Sequence, residues 1–188
     1  MASKLPDSVE GLRAIGNQSF RKGQYAEASA LYCGALRLLQ VRGSSDPEEE
    51  SVLYSNEAAC HLKDGKCTDC IKDCTSVLAL VPFSMKPLLR RASAYEALEK
   101  YPRAYVDYKT VLQIDNSVAS ALKGINRMTR ALMDSLGPEW RLKLRSIPVV
   151  PVSDQKRWNS LPSENKETTK NKSNETTKST VPSAGDVE

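Results

Sequence analysis

The feature that most constrains this chain is a set of small and aromatic residues that returns at a fixed interval. Leu12, Ile15, Gly16, Phe20, Gly23, Tyr25, Ala28, Tyr32 and Ala35 make one segment. Tyr54, Ala58, Gly65, Cys67, Cys70, Cys74, Val77 and Pro82 make a second, and Leu88, Ala92, Tyr101, Ala104, Tyr108 and Val111 a third. Within each segment the apolar positions recur at three and four, the helical period. Gly16, Ala58 and Ala92 fall in a first helix and Ala28, Cys70 and Ala104 in a second, where small side chains let two antiparallel backbones approach. One such hairpin cannot bury its own apolar face, so the units must stack on one another. The chain is therefore expected to be all-α.

Ala58 to Ala92 is a step of 34 residues, the period of the tetratricopeptide repeat, which the three segments resemble. The step from Gly16 to Ala58 is longer. The extra residues include a turn over Arg42, Gly43, Ser44, Ser45, Asp46 and Pro47, and Asp46-Pro47 followed by Glu48, Glu49 and Glu50 predicts a helix start with acids at the positive end of its dipole. Pro87 fits the first turn of the fifth helix. The stretch 117–136 carries Val118, Leu122, Ile125, Met128, Leu132 and Met133 at helical spacing before the stop signal Gly137-Pro138. It reads as the capping helix of a right-handed superhelical solenoid of three hairpins. Residues 1–137 are thus expected to form the repeat domain with its cap, and 138–158 an extended, loosely packed segment ending near Trp158. Residues 159–188 are nearly all Ser, Thr, Lys, Asn, Glu, Pro or Gly, a composition that predicts a disordered linker.

Composition narrows function. A net charge of +4 is too small to argue for nucleic acid without a basic stripe and interleaved aromatics, but it suits an acidic ligand. No apolar run approaches a membrane span and the first residues lack a signal-peptide core, which leaves a cytosolic or nuclear address. The cysteines Cys33, Cys60, Cys67, Cys70 and Cys74 are an odd set without a secretory signal, so reduced thiols are expected. Cys67, Cys70 and Cys74, with Cys60 and His61 nearby, could be arranged as a zinc site. Because the three occupy packing positions of the repeat, they read instead as small core residues. Without a phosphate loop, a nucleophile elbow or paired acids beside a cleft, no enzyme, cofactor or metal is expected.

A stack of helix pairs curves into a superhelix whose concave face is lined by the first helix of each pair. Arg13 and Asn17 are four apart on the first helix, Asn56 is on the third, and Lys86 and Arg90 are four apart on the fifth. Three cations and two amides on neighbouring helices make a set that can hold carboxylates. The plain alternative is a solvated polar face, with the chain serving as a structural adaptor through its convex side or its tail.

These five residues resemble the dicarboxylate clamp of co-chaperone tetratricopeptide domains, whose pattern is Lys-x3-Asn, Asn, Lys-x3-Arg. Arg13 replaces the first Lys, keeping the charge but not the geometry. The resemblance implies recognition of the Glu-Glu-Val-Asp tail of the seventy-kilodalton heat-shock chaperone, with the ninety-kilodalton one as the alternative. It runs from near Met1 into the tail and is similar above all to family members associated with mitochondrial precursor import. It also implies a fragment or short form of a longer protein, cytoplasmic and peripheral at the mitochondrial outer membrane. One residue departs from the family: Glu57 follows Asn56 where Arg is usual, and if it faced the groove it would repel a carboxylate.

Overall fold

The computed structural model describes residues 8–43 and 46–151. Seven α-helices follow one another: α1 Val9–Arg21, α2 Tyr25–Arg42, α3 Pro47–Lys63, α4 Cys67–Leu80, α5 Met85–Ala97, α6 Tyr101–Ile114 and α7 Ala119–Leu136. They pair as hairpins α1/α2, α3/α4 and α5/α6, each second helix also packs on the next first helix, and α3 touches α5. This is the expected tetratricopeptide solenoid with a helix closing its end.

Local chemistry sets the boundaries. Ser8 Oγ accepts from the Gly11 amide at 3.0 Å to start α1. Asp46 Oδ1 accepts from the Glu48 amide at 3.1 Å, with Pro47 as the first helical residue of α3. Gly23 and Gly65 turn the first two hairpins with positive φ, and the equivalent place in the third is taken by Glu99 at φ 56°. A side chain in that left-handed conformation costs about 1 kcal/mol.

One expectation needs correction and one needs detail. On α7 the large residues Leu122 and Met133 are 46% and 51% exposed, and the buried face is Ala121, Gly124, Met128 and Leu132. The reason is close approach: a Cβ on Gly124 would lie 2.6 Å from the Tyr108 ring, so α6 and α7 meet at a glycine rather than at leucine. The segment after α7 is mostly exposed where it is described, Leu142 and Val149 at 82% and 85%, but two residues anchor it. Trp140 opens a short 3-10 turn over Trp140–Lys143, is fully buried, and meets Tyr105 edge to face at 5.0 Å. Val150 is buried too, its amide donating to Gln113 Oε1 at 3.2 Å. Burying an indole contributes about 3 kcal/mol, and its Nε1, which has no hydrogen-bond partner among the described residues, gives back about 1 kcal/mol or more of that. Residues 152–158 and the tail expected to be disordered lie outside the described residues.

Of the three cysteines expected in the core, Cys70 and Cys74 are buried and Cys67 is partly buried against the same cluster. Cys70 and Cys74 are buried with Ala58 and Ala94, their sulfurs 4.0 Å apart, and Cys60 is buried in the neighbouring cluster.

Candidate functional site

The five candidate residues stand on α1, α3 and α5, the first helices of the three hairpins. Arg13 and Asn17 are half-buried on α1. The Tyr32 hydroxyl, on α2, donates to Asn17 Oδ1 at 2.6 Å and so fixes the amide, leaving its NH2 edge for another acceptor. Lys86 is exposed in the first turn of α5.

Arg90 on α5 reaches across to α3, where Asn56 stands. Arg90 Nη1 donates to the Ser55 carbonyl at 2.9 Å and to Ser55 Oγ at 2.7 Å, which fastens the guanidinium beside the residue that precedes Asn56. Burial lowers the Arg90 pKa, opposed by the thiols of Cys74, Cys70 and Cys60; the group stays charged because arginine starts so high. Among the described residues no carboxylate pairs with it. Asn56 is only 5% exposed, and its Nδ2 has no hydrogen-bond partner among the described residues. A buried donor in that condition costs about 1–3 kcal/mol, so this corner holds a cation and an NH2 group that both seek an acceptor.

Arg91, one residue on, points the other way. Its Nε and Nη2 each lie 2.8 Å from the two oxygens of buried Asp107 on α6, and the pair is therefore complete.

Glu57 does not join the candidate residues. It is 9% exposed and turns toward the second helices, with Ser29 Oγ on α2 at 3.5 Å and Asp73 on α4 close by. Burial first, and then the charge of Asp73, push its pKa up to about 7. Its charge is thus felt inside the α2, α3 and α4 layer, by Asp73 and His61.

Sequence reasoning missed Ser55, the anchor of Arg90, and Tyr32 as the partner of Asn17. Tyr32 carried a signal, an aromatic hydroxyl at a core position that must find a polar partner. Ser55 carried none, since a serine on a helix is commonplace.

No family model matches the chain. It is 83% identical over its whole length to Mitochondrial import receptor subunit TOM34 of Pongo abelii, and it spans 62% of that relative. Human Sperm-associated antigen 1 is 57% identical over 78% of the chain, which covers 16% of that protein. Among solved structures, the first tetratricopeptide domain of Spaghetti (RPAP3) bound to the HSP90 peptide SRMEEVD aligns with a TM-score of 0.58 at 28% identity, covering 66% of this chain and 95% of that one. The second tetratricopeptide domain of human RPAP3, in complex with the HSP70 peptide SGPTIEEVD, aligns with a TM-score of 0.55 at 26% identity, over 63% and 92% of the two chains.

Proposed function

We propose that this chain, which has the tetratricopeptide-repeat fold and is 83% identical to a TOM34 relative of which it spans 62%, binds the acidic C-terminal tail of a heat-shock chaperone in support of mitochondrial precursor import. The preferred partner in this reading is the seventy-kilodalton chaperone, and the residues that hold its terminal carboxylates are Arg13, Asn17, Asn56, Lys86 and Arg90. The place of action is the cytosol, at the face of the mitochondrial outer membrane; no helix among the described residues is long and apolar enough to cross a membrane.

What supports the reading is that the buried Asn56 NH2 has no partner among the described residues while the Arg90 guanidinium, fastened to the neighbouring Ser55, has no carboxylate there. A carboxylate placed there gives the amide NH2 an acceptor and the guanidinium a counter-charge at once. Lys86, one turn before Arg90, and Arg13 with Asn17 on α1 extend the same donor chemistry to a second carboxylate. The two peptides seen on the RPAP3 domains end alike in EEVD, so preference between chaperones must arise from residues upstream of that ending.

Calorimetric titration with a peptide ending in Glu-Glu-Val-Asp tests the reading directly. A free C-terminus is expected to bind at least about tenfold more tightly than its amide, a difference of about 1.4 kcal/mol. The double reversal Lys86→Glu with Arg90→Glu is expected to abolish binding. Equal affinity of the two peptide forms sinks the clamp, and a reversal that leaves partner binding intact favours an adaptor working through another face.

A further inference from the structure

The second hairpin holds a constellation that peptide binding does not use. Glu57 and His61 lie one turn apart on α3, Asp73 faces them from α4, and one ligand atom from each falls within 4.8 Å of the others. His61 Nδ1 is 2.7 Å from Asp73 Oδ2, and His61 Nε2 is 3.1 Å from Ser29 Oγ on α2. Glu57 and Asp73 are buried, while His61 is partly open to solvent. Among the described residues no second trio of this kind occurs.

The repeat itself shows what such a place demands. Positions 57, 61 and 73 correspond, one period later, to Arg91, Tyr95 and Asp107. In the third hairpin the Arg91 guanidinium grips both oxygens of Asp107. The second hairpin keeps the aspartate but puts a second acid where the cation stood, so two buried carboxylates and an imidazole share a pocket shaped for a positive charge.

We propose that Glu57, His61 and Asp73 bind a divalent transition-metal ion, zinc by its donor set, in the place where the third repeat holds a guanidinium. Two carboxylate oxygens and one imidazole nitrogen suit zinc better than magnesium or calcium, which take more numerous oxygen ligands. Three protein ligands leave one tetrahedral position for water. At bond lengths of roughly 2.1 Å the ligand atoms of a tetrahedral site sit about 3.4 Å apart, so the ion must displace the proton between His61 Nδ1 and Asp73 Oδ2 and part those atoms by roughly 0.7 Å, while Glu57 closes toward them by about 1.4 Å at most. Ser29 completes the arrangement. With the imidazole proton on Nε2, His61 donates to Ser29 Oγ, Ser29 donates on to Glu57, and the Nδ1 lone pair is left for the ion. The ion ties α3 to α4 and neutralises the two acids. It is distinct from any site built on Cys67, Cys70 and Cys74, because the latter two are sealed in an apolar cluster.

The whole chain, freed of metal by a chelator, is titrated with Co(II) by visible absorption and with Zn(II) by calorimetry and thermal melting. The expected result is one equivalent bound, ligand-field bands of an oxygen and nitrogen site without a thiolate charge-transfer band, and a melting temperature raised by zinc. His61→Gln is expected to weaken binding at least a hundredfold, and Ser29→Ala about tenfold. Glu57→Arg supplies the third repeat's own pairing; it is expected to melt cooperatively and to lose metal binding, which separates loss of the site from loss of the fold. No saturable binding at micromolar metal, an intense thiolate band, or unchanged affinity in His61→Gln overturns the proposal.

Discussion

The second and third hairpins are built on the same packing positions and part company in their charges. Ala58 and Ala92 occupy one register, Cys70 and Ala104 the next, and all four are fully buried. Around them the third hairpin has Arg91, Asp107 and Tyr108, and the second has Glu57, Asp73 and Cys74. In the third, Arg91 pairs with Asp107, the Tyr108 hydroxyl donates to Glu96 at 2.9 Å, and Arg127 from α7 reaches the same carboxylate at 2.6 and 2.9 Å. In the second, two acids meet an imidazole. Burial raises the carboxyls of Glu57 and Asp73, and also that of Asp107, where the hydrogen bonds and charge of Arg91 oppose it; Glu96 is lowered by its hydrogen bond from Arg127. Apolar positions accept exchanges of volume, a cysteine for a tyrosine, because neighbours share the space. A buried charge has few partners, and reversing one changes the behaviour of every acid around it.

The hardest blow to this comparison comes from removing the shared aspartate in each hairpin. Asp107→Ala leaves Arg91 a largely buried cation without its fork, and a loss of about 3 kcal/mol is expected from urea unfolding midpoints. Asp73→Ala removes one of two crowded acids along with one hydrogen bond to His61. Its expected cost is under about 1 kcal/mol, since the relieved repulsion offsets the lost bond. Equal costs at the two positions would show that the hairpins are electrostatically alike.

A smaller effect is expected from pH in the metal-free protein. Glu57 has a folded pKa of about 7 against an ordinary 4.5, so between those values the folded chain binds more protons than the unfolded one. Stability must then fall as pH rises through that window and level off above it. The expected fall is about 2 kcal/mol, and the raised Asp73 acts in the same direction. In the third hairpin the raised Asp107 acts in the same direction as Asp73, whereas Glu96 works with the opposite sign, its contribution present above the ordinary carboxylate range and lost on acidification. Urea midpoints taken from pH 5 to 7.5 check this: Glu57→Gln should flatten the slope, and a wild-type slope that persists in the variant assigns it to another group.

The hairpins, the Asp46 start and the Gly137 stop were legible because each is written in residues whose backbone preference is local. Faces were harder. On α7 the eye follows Leu122 and Met133, yet the helix packs through Ala121 and Gly124, since the ring of Tyr108 demands the smallest neighbour rather than the greasiest. Trp140 looked like part of a loose tail because its partner, Tyr105, is far away in sequence. Of the candidate site, the helices and residue types could be read in advance. The hold of Ser55 on Arg90 and the partnerless amide of Asn56 could not, because both depend on how α3 and α5 settle against each other. The direction of Glu57 was undecided for a related reason: its register equivalents Ile15 and Arg91 differ in kind, and only the packed α2, α3 and α4 layer shows which way the side chain turns.

The finest division between the hairpins lies in what a core tyrosine does with its hydroxyl. Tyr32 and Tyr108 share a register that Cys74 fills in the second hairpin. The Tyr32 ring is pinned against Gly16, where an added Cβ would come within 2.8 Å, so Tyr32→Phe keeps the packing and deletes the hydroxyl's bond to Asn17. That deletion is expected to cost about 1 kcal/mol of stability. It also frees the Asn17 amide to rotate, and ordering it again on binding should weaken an acidic C-terminal peptide by about threefold. Tyr108→Phe is expected to cost stability of the same order while leaving peptide affinity alone, because its hydroxyl serves Glu96 and the α7 network. Parallel unfolding and peptide titrations of the two variants decide the matter. If Tyr32→Phe binds peptide as the parent does, the hydroxyl only satisfies a buried amide and Asn17 is not held in place for a ligand.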